Sequence, residues 1–397
     1  MSPLIRRITS AMKSNQAART FSFETILWGL SLVYGGLARL RSAAFEFRPA
    51  KLKQLPCVVI SIGNITVGGT GKTPMVIYLA RLVRSLGYRV AIVSRGYKGN
   101  LEKTGGIVSD GQKTLVTPEA SGDEPFMIAN ALTDIPVVVG QNRFMAGTRA
   151  IAAFSPEVII LDDAFQHLQL RRDINLLLVD QTRPFGNRHL LPRGPLREPV
   201  SAIGRADVIV ETRCRPKSPS APELLHAVNR YAAQKPVFRA QLEPVIENLI
   251  GMGKTATAET FLKTAGAART LLRGKRVFAF SGVADNPGFH HSLTELGCTV
   301  AATAAFPDHH WFSADDVAAL QHQARDVKAE LIVTTQKDIC RINGLTQWPA
   351  NLVVLGIEHD FGAHKTAFHD LIRRRLFDLI GKSCANSGLT IFSGRVI

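Results

Sequence analysis

At 397 residues, 46% hydrophobic and 20% charged, the chain has a globular composition that excludes general disorder and is long enough for two domains. Its 48 Lys and Arg against 32 Asp and Glu leave a net charge of +16, which favours anionic partners: nucleic acid, a phosphorylated substrate or an anionic membrane surface. Five scattered cysteines with no Cys-x-x-Cys pair exclude a disulfide scaffold or a zinc cluster and fit a reducing compartment.

Residues 1–53 form a basic arm, with nine Lys and Arg against two acids. Within it the uncharged stretch Thr25–Ala38 carries Trp28 and Tyr34, side chains that favour the headgroup level. A helix there rises about 21 Å, short of the ~30 Å hydrocarbon core, so a helix lying in or dipping into the interface is expected rather than a full span. The plainer reading is an amphipathic helix packed on its own domain. A signal peptide does not fit, because more basic sequence follows and no small-residue cleavage site is present.

Leu55–Ile62 is a short β-rich apolar run, and it leads into Gly63-Asn64-Ile65-Thr66-Val67-Gly68-Gly69-Thr70-Gly71-Lys72-Thr73-Pro74. Apolar residues at helical spacing follow, from Met75 to Leu86, with Gly87 as the stop. Strand, Gly-rich loop, Gly-Lys-Thr and helix together are the context of a phosphate cradle. Thr66, Val67, Gly68, Gly69, Thr70, Gly71, Lys72 and Thr73 are therefore expected to bind the nucleotide. Backbone amides and the helix start would hold the phosphates, Lys72 would reach the outer ones and the Thr73 hydroxyl would ligate Mg²⁺. Thr66 stands where such loops usually have their first glycine.

Val158–Leu161 and then Asp162-Asp163 supply the metal-holding acids at the end of a neighbouring strand. The competing reading makes Asp163 a helix N-cap. Further strand-like runs at 89–94, 135–140, 174–180 and 208–211 alternate with helical patterns, so the fold class is α/β: a P-loop, mostly parallel sheet covered by helices. Ligands in such sheets gather beyond the carboxyl ends of the strands, where Ser94–Gly99, Gly122–Pro125 and Gln166-His167 fall. Alternation resumes from about Pro236. The expected organisation is the arm 1–53, a P-loop domain 54–235 and a smaller α/β domain 236–397 that closes over the site. The polar stretch 213–222 reads as a linker or exposed loop, and Arg171-Arg172 as a solvated turn.

The P-loop string closely resembles that of the tetraacyldisaccharide 4'-kinase family of lipid A biosynthesis, which has threonine at the Thr66 position. The likeness continues through Ser94-Arg95-Gly96-Tyr97, Gly122-Asp123-Glu124-Pro125, Leu161-Asp162-Asp163-Ala164-Phe165-Gln166-His167, Leu191–Pro199, Asp308-His309-His310 and Thr334-Thr335-Gln336-Lys337-Asp338. Two positions depart from the pattern: Gln336 where glutamate is usual, and Arg193 where a small residue is usual. The resemblance implies an ATP- and Mg²⁺-dependent kinase at the cytoplasmic face of the inner membrane, acting on the 4'-hydroxyl of a tetraacylated disaccharide 1-phosphate. It points to Asp123 as the base, assisted by His309, with Lys72 neutralising charge. Arg95, Tyr97, Gln166, His167, Arg193 and Arg197 are candidates for gripping sugar, phosphate or nucleotide. A P-loop GTPase or metallochaperone-like switch is the alternative, with Thr335–Asp338 as a loose guanine-reading loop. A nucleic-acid-binding ATPase is not expected, because aromatics are only 7% and no stacking motif is visible.

Overall fold

Strand β1 (Val58–Gly63, VVISIG) is buried along its whole length, as a β-branched run in the middle of a parallel sheet should be. The computed structural model describes residues 3–13, 22–46, 52–250, 266–283, 286–342, 351–387, 391–392 and 395–396. An eight-stranded sheet runs β3-β4-β2-β5-β1-β6-β7-β8, in which only β3 and β4 pair antiparallel. Its other strands are β2 (Val90–Ser94), β3 (Gly106–Ser109), β4 (Val137–Val139), β5 (Val158–Leu161), β6 (Ile174–Asp180), β7 (Val208–Thr212) and β8 (Val237–Arg239). β1 lies between β5 and β6, which sets the P-loop beside the acidic pair that follows β5.

The period-2 alternation of each strand feeds two cores. On one face Val58, Ile60 and Ile62 meet α3 (Lys72–Ser85) and α5 (Asp123–Ala131), the latter following a single turn, α4 (Pro118–Ser121). On the other face Val59, Ala91 and Ile159 meet α6 (Arg143–Phe154), and Leu177 and Ile209 meet α7 (Pro222–Tyr231). α3 forms where expected. Met75, Leu79, Leu82 and Val83 make its buried stripe, and Gly87, at φ 93°, ends it. Residues 213–221 connect β7 to α7 inside this unit, so they are a loop and not a linker between sheets.

A second sheet runs β11-β10-β12-β13-β9, from β9 (Gln241–Ile250), β10 (Arg276–Ser281), β11 (Thr299–Ala305), β12 (Leu331–Thr335) and β13 (Leu352–Asp360). Helices α8 (Ala267–Leu272), α9 (Asn286–Glu295) and α10 (Ala314–Asp326) accompany it, and α11 (Gln336–Ile339) follows β12. β9 and β13 pair antiparallel from Gln241↔Asp360 to Ile250↔Leu352, with a register shift between Val354 and Leu355. The chain therefore leaves the large sheet and returns to it as a two-stranded ribbon.

Two segments expected in the smaller unit belong to the large one. Val237–Arg239 pairs with β7. The closing helix α12 (Lys365–Ser387) lays Phe368, Ile372 and Leu376 into the core of β1 and α3. An aromatic cluster fixes it there: Phe361 and Phe368 stack at 4.2 Å between centroids, with Tyr78 of α3 5.1 Å from Phe361.

At the N-terminus, α1 (Pro3–Lys13) and α2 (Phe23–Glu46) pack on the loop 187–197. The Ser31 hydroxyl donates to Leu190 O at 2.8 Å and accepts from the Arg193 amide at 3.0 Å. A Cβ on Gly35 would lie 2.6 Å from Leu190 Cδ1, so the glycine lets the leucine side chain seat closely against α2. Tyr34, expected at the headgroup level, instead donates its hydroxyl to Arg197 O at 2.9 Å. The opposite face of α2 leaves Ile26, Leu30, Val33, Leu37 and Leu40 exposed. Among the described residues no helix is long and apolar enough to cross a membrane.

Candidate active site

Between β1 and α3 the chain curls. Gly68 (φ 119°) and Gly71 (φ 84°) take backbone conformations that only glycine enters without strain. The neighbouring segment pins the loop through Val67 N to Pro195 O at 2.7 Å and Arg197 N to Ile65 O at 2.8 Å, with Thr66 bridged to Leu196. Inside the loop Asn64 Nδ2 donates to Thr70 Oγ1 at 3.0 Å. Lys72 Nζ lies 3.5 Å from Asn64 Oδ1 and 3.9 Å from Asp163. Thr73 follows in the first helical turn and is buried.

The adjacent acids occupy different environments. Asp162 is buried and accepts from Ser94 Oγ at 2.9 Å. Burial, then the carboxylates of Glu124 and Asp163, push its pKa up to about 7. Asp163 sits in a left-handed turn at φ 44°, not at a helix N-cap. Its two oxygens accept from Arg197 Nη1 at 3.0 and 2.9 Å. Burial raises its pKa, but Lys72 and Arg197 more than offset that and hold it below the ordinary carboxylate range. Among the described residues no three His, Cys, Asp or Glu side chains form a metal cage. Mg²⁺ does not need one, since it takes one or two carboxylates and completes its octahedron with phosphate and water. The adjacent carboxylates of Asp162 and Asp163, beside the P-loop that carries the Thr73 hydroxyl, are oxygens of the kind such an ion takes.

Asp123 is the first residue of α5, and Gly122 before it occupies the N-cap. A Cβ on Gly122 would lie 2.7 Å from Tyr97 O, so glycine lets the loop after β2 and the start of α5 touch. Asp123 Oδ2 accepts from His309 Nδ1 at 2.8 Å, a contact that joins the two sheets. His309 itself has φ 65°. His310 pairs with Asp316 at 3.1 Å instead.

Arg341, which sequence reasoning missed, also reaches Asp123. Its Nε and Nη2 lie 2.9 and 2.7 Å from Asp123 Oδ2, and Nη1 donates to Gly282 O at 2.9 Å. Burial raises the Asp123 pKa, yet the His309 hydrogen bond and the Arg341 guanidinium bring it below its ordinary value. Behind Arg341, Asp338 is fully buried and accepts from the Gly282 amide at 3.0 Å and the Thr335 hydroxyl at 2.6 Å. Its carboxylate is thus committed inward and is not presented as a base reader, which removes the support for the guanine-loop alternative. An arginine three residues beyond Asp338 reads as helix surface in the sequence, and only tertiary packing turns it inward.

The remaining candidates divide. Arg95 and Tyr97 stand on the rim; Arg95 pairs with Glu102 at 2.7 Å and Tyr97 is exposed. Gln166 Nε2 donates to Asn64 O at 2.8 Å and Glu198 Oε2 at 3.0 Å, so it braces the P-loop strand end. His167 is driven to about 4 by burial and by Arg143, Arg172 and Arg41, and is neutral. Arg197 is engaged by Asp163. Arg193 is buried, with Nη1 donating to Ala11 O at 2.6 Å, and so ties α1 to the loop.

Arg172 is a correction. Rather than lying in a solvated turn, it donates to Ala164 O at 3.0 Å and Phe165 O at 2.9 Å, supporting the turn after the acid pair. Arg143 was also missed. It is buried beneath the acids with Nη1 on Gly140 O at 3.0 Å.

A family model for tetraacyldisaccharide-1-P 4'-kinase matches residues 23–376. The tetraacyldisaccharide 4'-kinase of Desulfatibacillum aliphaticivorans is 39% identical, over 95% of this chain and 99% of its own length. That of Pelobacter propionicus is 41% identical, over 84% and 87%. The crystal structure of Aquifex aeolicus LpxK in complex with ATP superposes with a TM-score of 0.67 at 31% identity, covering 89% of this chain and all of that one. A curled P-loop, an adjacent acid pair and relatives aligned nearly end to end agree on one conclusion: the chain belongs to the tetraacyldisaccharide 4'-kinase family.

Proposed function

We propose that this chain transfers the γ-phosphate of ATP to the 4'-hydroxyl of a tetraacyldisaccharide 1-phosphate in lipid A assembly. The observation that carries this reading is the Asp123–His309 pair, held from behind by Arg341 and one residue from Glu124, whose carboxylate acts on Asp162 beside the P-loop. Proton acceptor and phosphate cradle thereby share one rim.

The roles follow from the positions. Amides of residues 67–73 and the start of α3 hold the phosphates, and Lys72 offsets their charge. Thr73, Asp162 and Asp163 would hold Mg²⁺, which when bound would neutralise phosphate charge. Arg197, locked on Asp163, keeps that carboxylate ionised and aimed. The Asp123–His309 pair takes the hydroxyl proton as the acceptor oxygen attacks in line. Arg341 holds Asp123 so that one carboxylate oxygen is committed to its donors while the other is left for substrate. Because His309 comes from the second sheet, the acceptor site is complete only when the two units meet, which excludes water from ATP.

The exposed apolar face of α2, flanked by Arg39 and Arg41, supports attachment to an anionic membrane surface at the cytoplasmic face of the inner membrane, where an acylated substrate resides. Radiolabelled ATP with Mg²⁺ and the disaccharide 1-phosphate tests the assignment, comparing wild type with Lys72→Ala and Asp123→Ala. Label should enter the lipid with wild type alone; equal labelling by all three would refute these roles.

A further inference from the structure

Two consecutive carbonyls of the P-loop are gripped from outside the loop. Thr212 Oγ1, at the end of β7, lies 3.0 Å from Thr70 O and 3.5 Å from Val179 O. His359 Nε2, on β13 of the second sheet, lies 2.9 Å from Gly71 O. A carbonyl only accepts, so Nε2 carries the hydrogen and Nδ1 is left with a lone pair. That Nδ1 is buried without a hydrogen-bond partner among the described residues, in a side chain 4% exposed. Burial keeps the ring neutral. A phenylalanine would fill the same space without the orphaned nitrogen, so what distinguishes histidine here is the donor aimed at Gly71.

Peptide groups are planar and trans, so each C=O points opposite to the N–H of the next residue. Turning Thr70 O toward Thr212 and Gly71 O toward His359 turns the Gly71 and Lys72 N–H groups the other way. With Gly71 at φ 84° ahead of a right-handed helix, those two amides form a concave nest of the kind that holds anions. The fit is close: a Cβ on Gly71 would lie 3.0 Å from His359 Nε2 and 3.2 Å from Leu242 Cδ2, the residue paired with His359 across the ribbon. We infer that His359 and Thr212 are positioning residues for the nucleotide, which brace the two carbonyls so that the Gly71 and Lys72 amides face the phosphates. This rests on residues 63–73 being the nucleotide cradle. Because His359 rides on the ribbon between the sheets, the brace also ties the shape of the cradle to the placement of the second unit.

The test is isothermal titration of the full chain with ATP and with ADP in the presence of Mg²⁺, for wild type, His359→Phe, His359→Gln, Thr212→Val and Thr212→Ser. Urea midpoints measured alongside identify folded variants. His359→Phe and Thr212→Val should each weaken ATP and ADP binding about tenfold, ~1.4 kcal/mol. His359→Gln and Thr212→Ser, which keep a donor, should recover most of it, and KM for the lipid acceptor should move less than twofold. Unchanged affinity in the Phe and Val variants overturns the inference, as do equal losses in the donor-keeping pair. Should His359→Phe not fold, the Thr212 pair decides alone. Wild type that fails to bind ATP would remove the cradle reading itself, whereas wild-type binding with four indifferent variants removes only the brace.

Discussion

Replacing Arg341 with methionine keeps the volume of a fully buried side chain and removes its charge. Asp123 then loses both guanidinium donors at 2.9 and 2.7 Å and keeps His309, while buried Asp338 keeps only Thr335 and the Gly282 amide. Removing one partner of a buried ionic network costs about 3–5 kcal/mol, a large share of a typical 5–15 kcal/mol but survivable. Denaturant unfolding should show a loss of that order. For the reaction, a misplaced base costs about 10²-fold, so kcat should fall by roughly that factor while KM for ATP changes little. The pH profile adds a sign. In the native fold Asp123 titrates below its ordinary value, so its ionised form is favoured and is lost only as pH falls through that depressed pKa. Without the guanidinium, burial is less opposed and the pKa rises, so the acid limb of kcat must begin at higher pH. A folded Arg341→Met enzyme with wild-type kcat and an unmoved acid limb would refute the positioning argument.

Lys72→Ala leaves Asp163 with Arg197 as its partner, so the protein should fold while turnover drops about 10³-fold; normal turnover in single-turnover assays would count against the phosphate role. Asp123→Asn and His309→Ala should be non-additive, the double variant losing little more rate than the worse single one, because the pair acts as a unit at 2.8 Å. Independent, multiplying losses would separate them. The His359 pKa falls from 6.5 to about 4 on folding, so its contribution to stability is full above pH 6.5 and is lost as pH falls from there toward 4. That contribution amounts to ~3 kcal/mol, and the gap between wild type and His359→Phe in urea unfolding should shift by about this much across the window.

Local chemistry made much of the site legible before any coordinates. The P-loop glycines, the paired acids after an apolar strand and the buried stripe of α3 declare themselves through spacing and backbone demands, and the parallel sheet follows from alternation. What stayed hidden depends on tertiary packing. Arg341 and Arg172 carry residue types that usually face water, and they turn inward only because Asp338 with Asp123, and the carbonyls of Ala164 and Phe165, await them. His359 sits in a strand whose hydrophobic pattern gives no hint that its neighbour across space is Gly71. Nor does periodicity separate β8 from β9, since Ala240 alone lies between them and the change of sheet is a matter of partner. For α2 the sequence showed an apolar run without showing that one flank of it docks on Leu190 and Arg193.

The return of the chain through the ribbon has a consequence during synthesis. Phe361, Phe368, Ile372 and Leu376 complete the core around β1 and α3, yet they are translated after the entire second sheet. At 5–20 residues per second the nascent large sheet waits on the order of ten seconds with that apolar flank uncovered. The core around β1 and α3 cannot close until Leu376 has left the ribosome, which makes this flank the place where a holdase would engage.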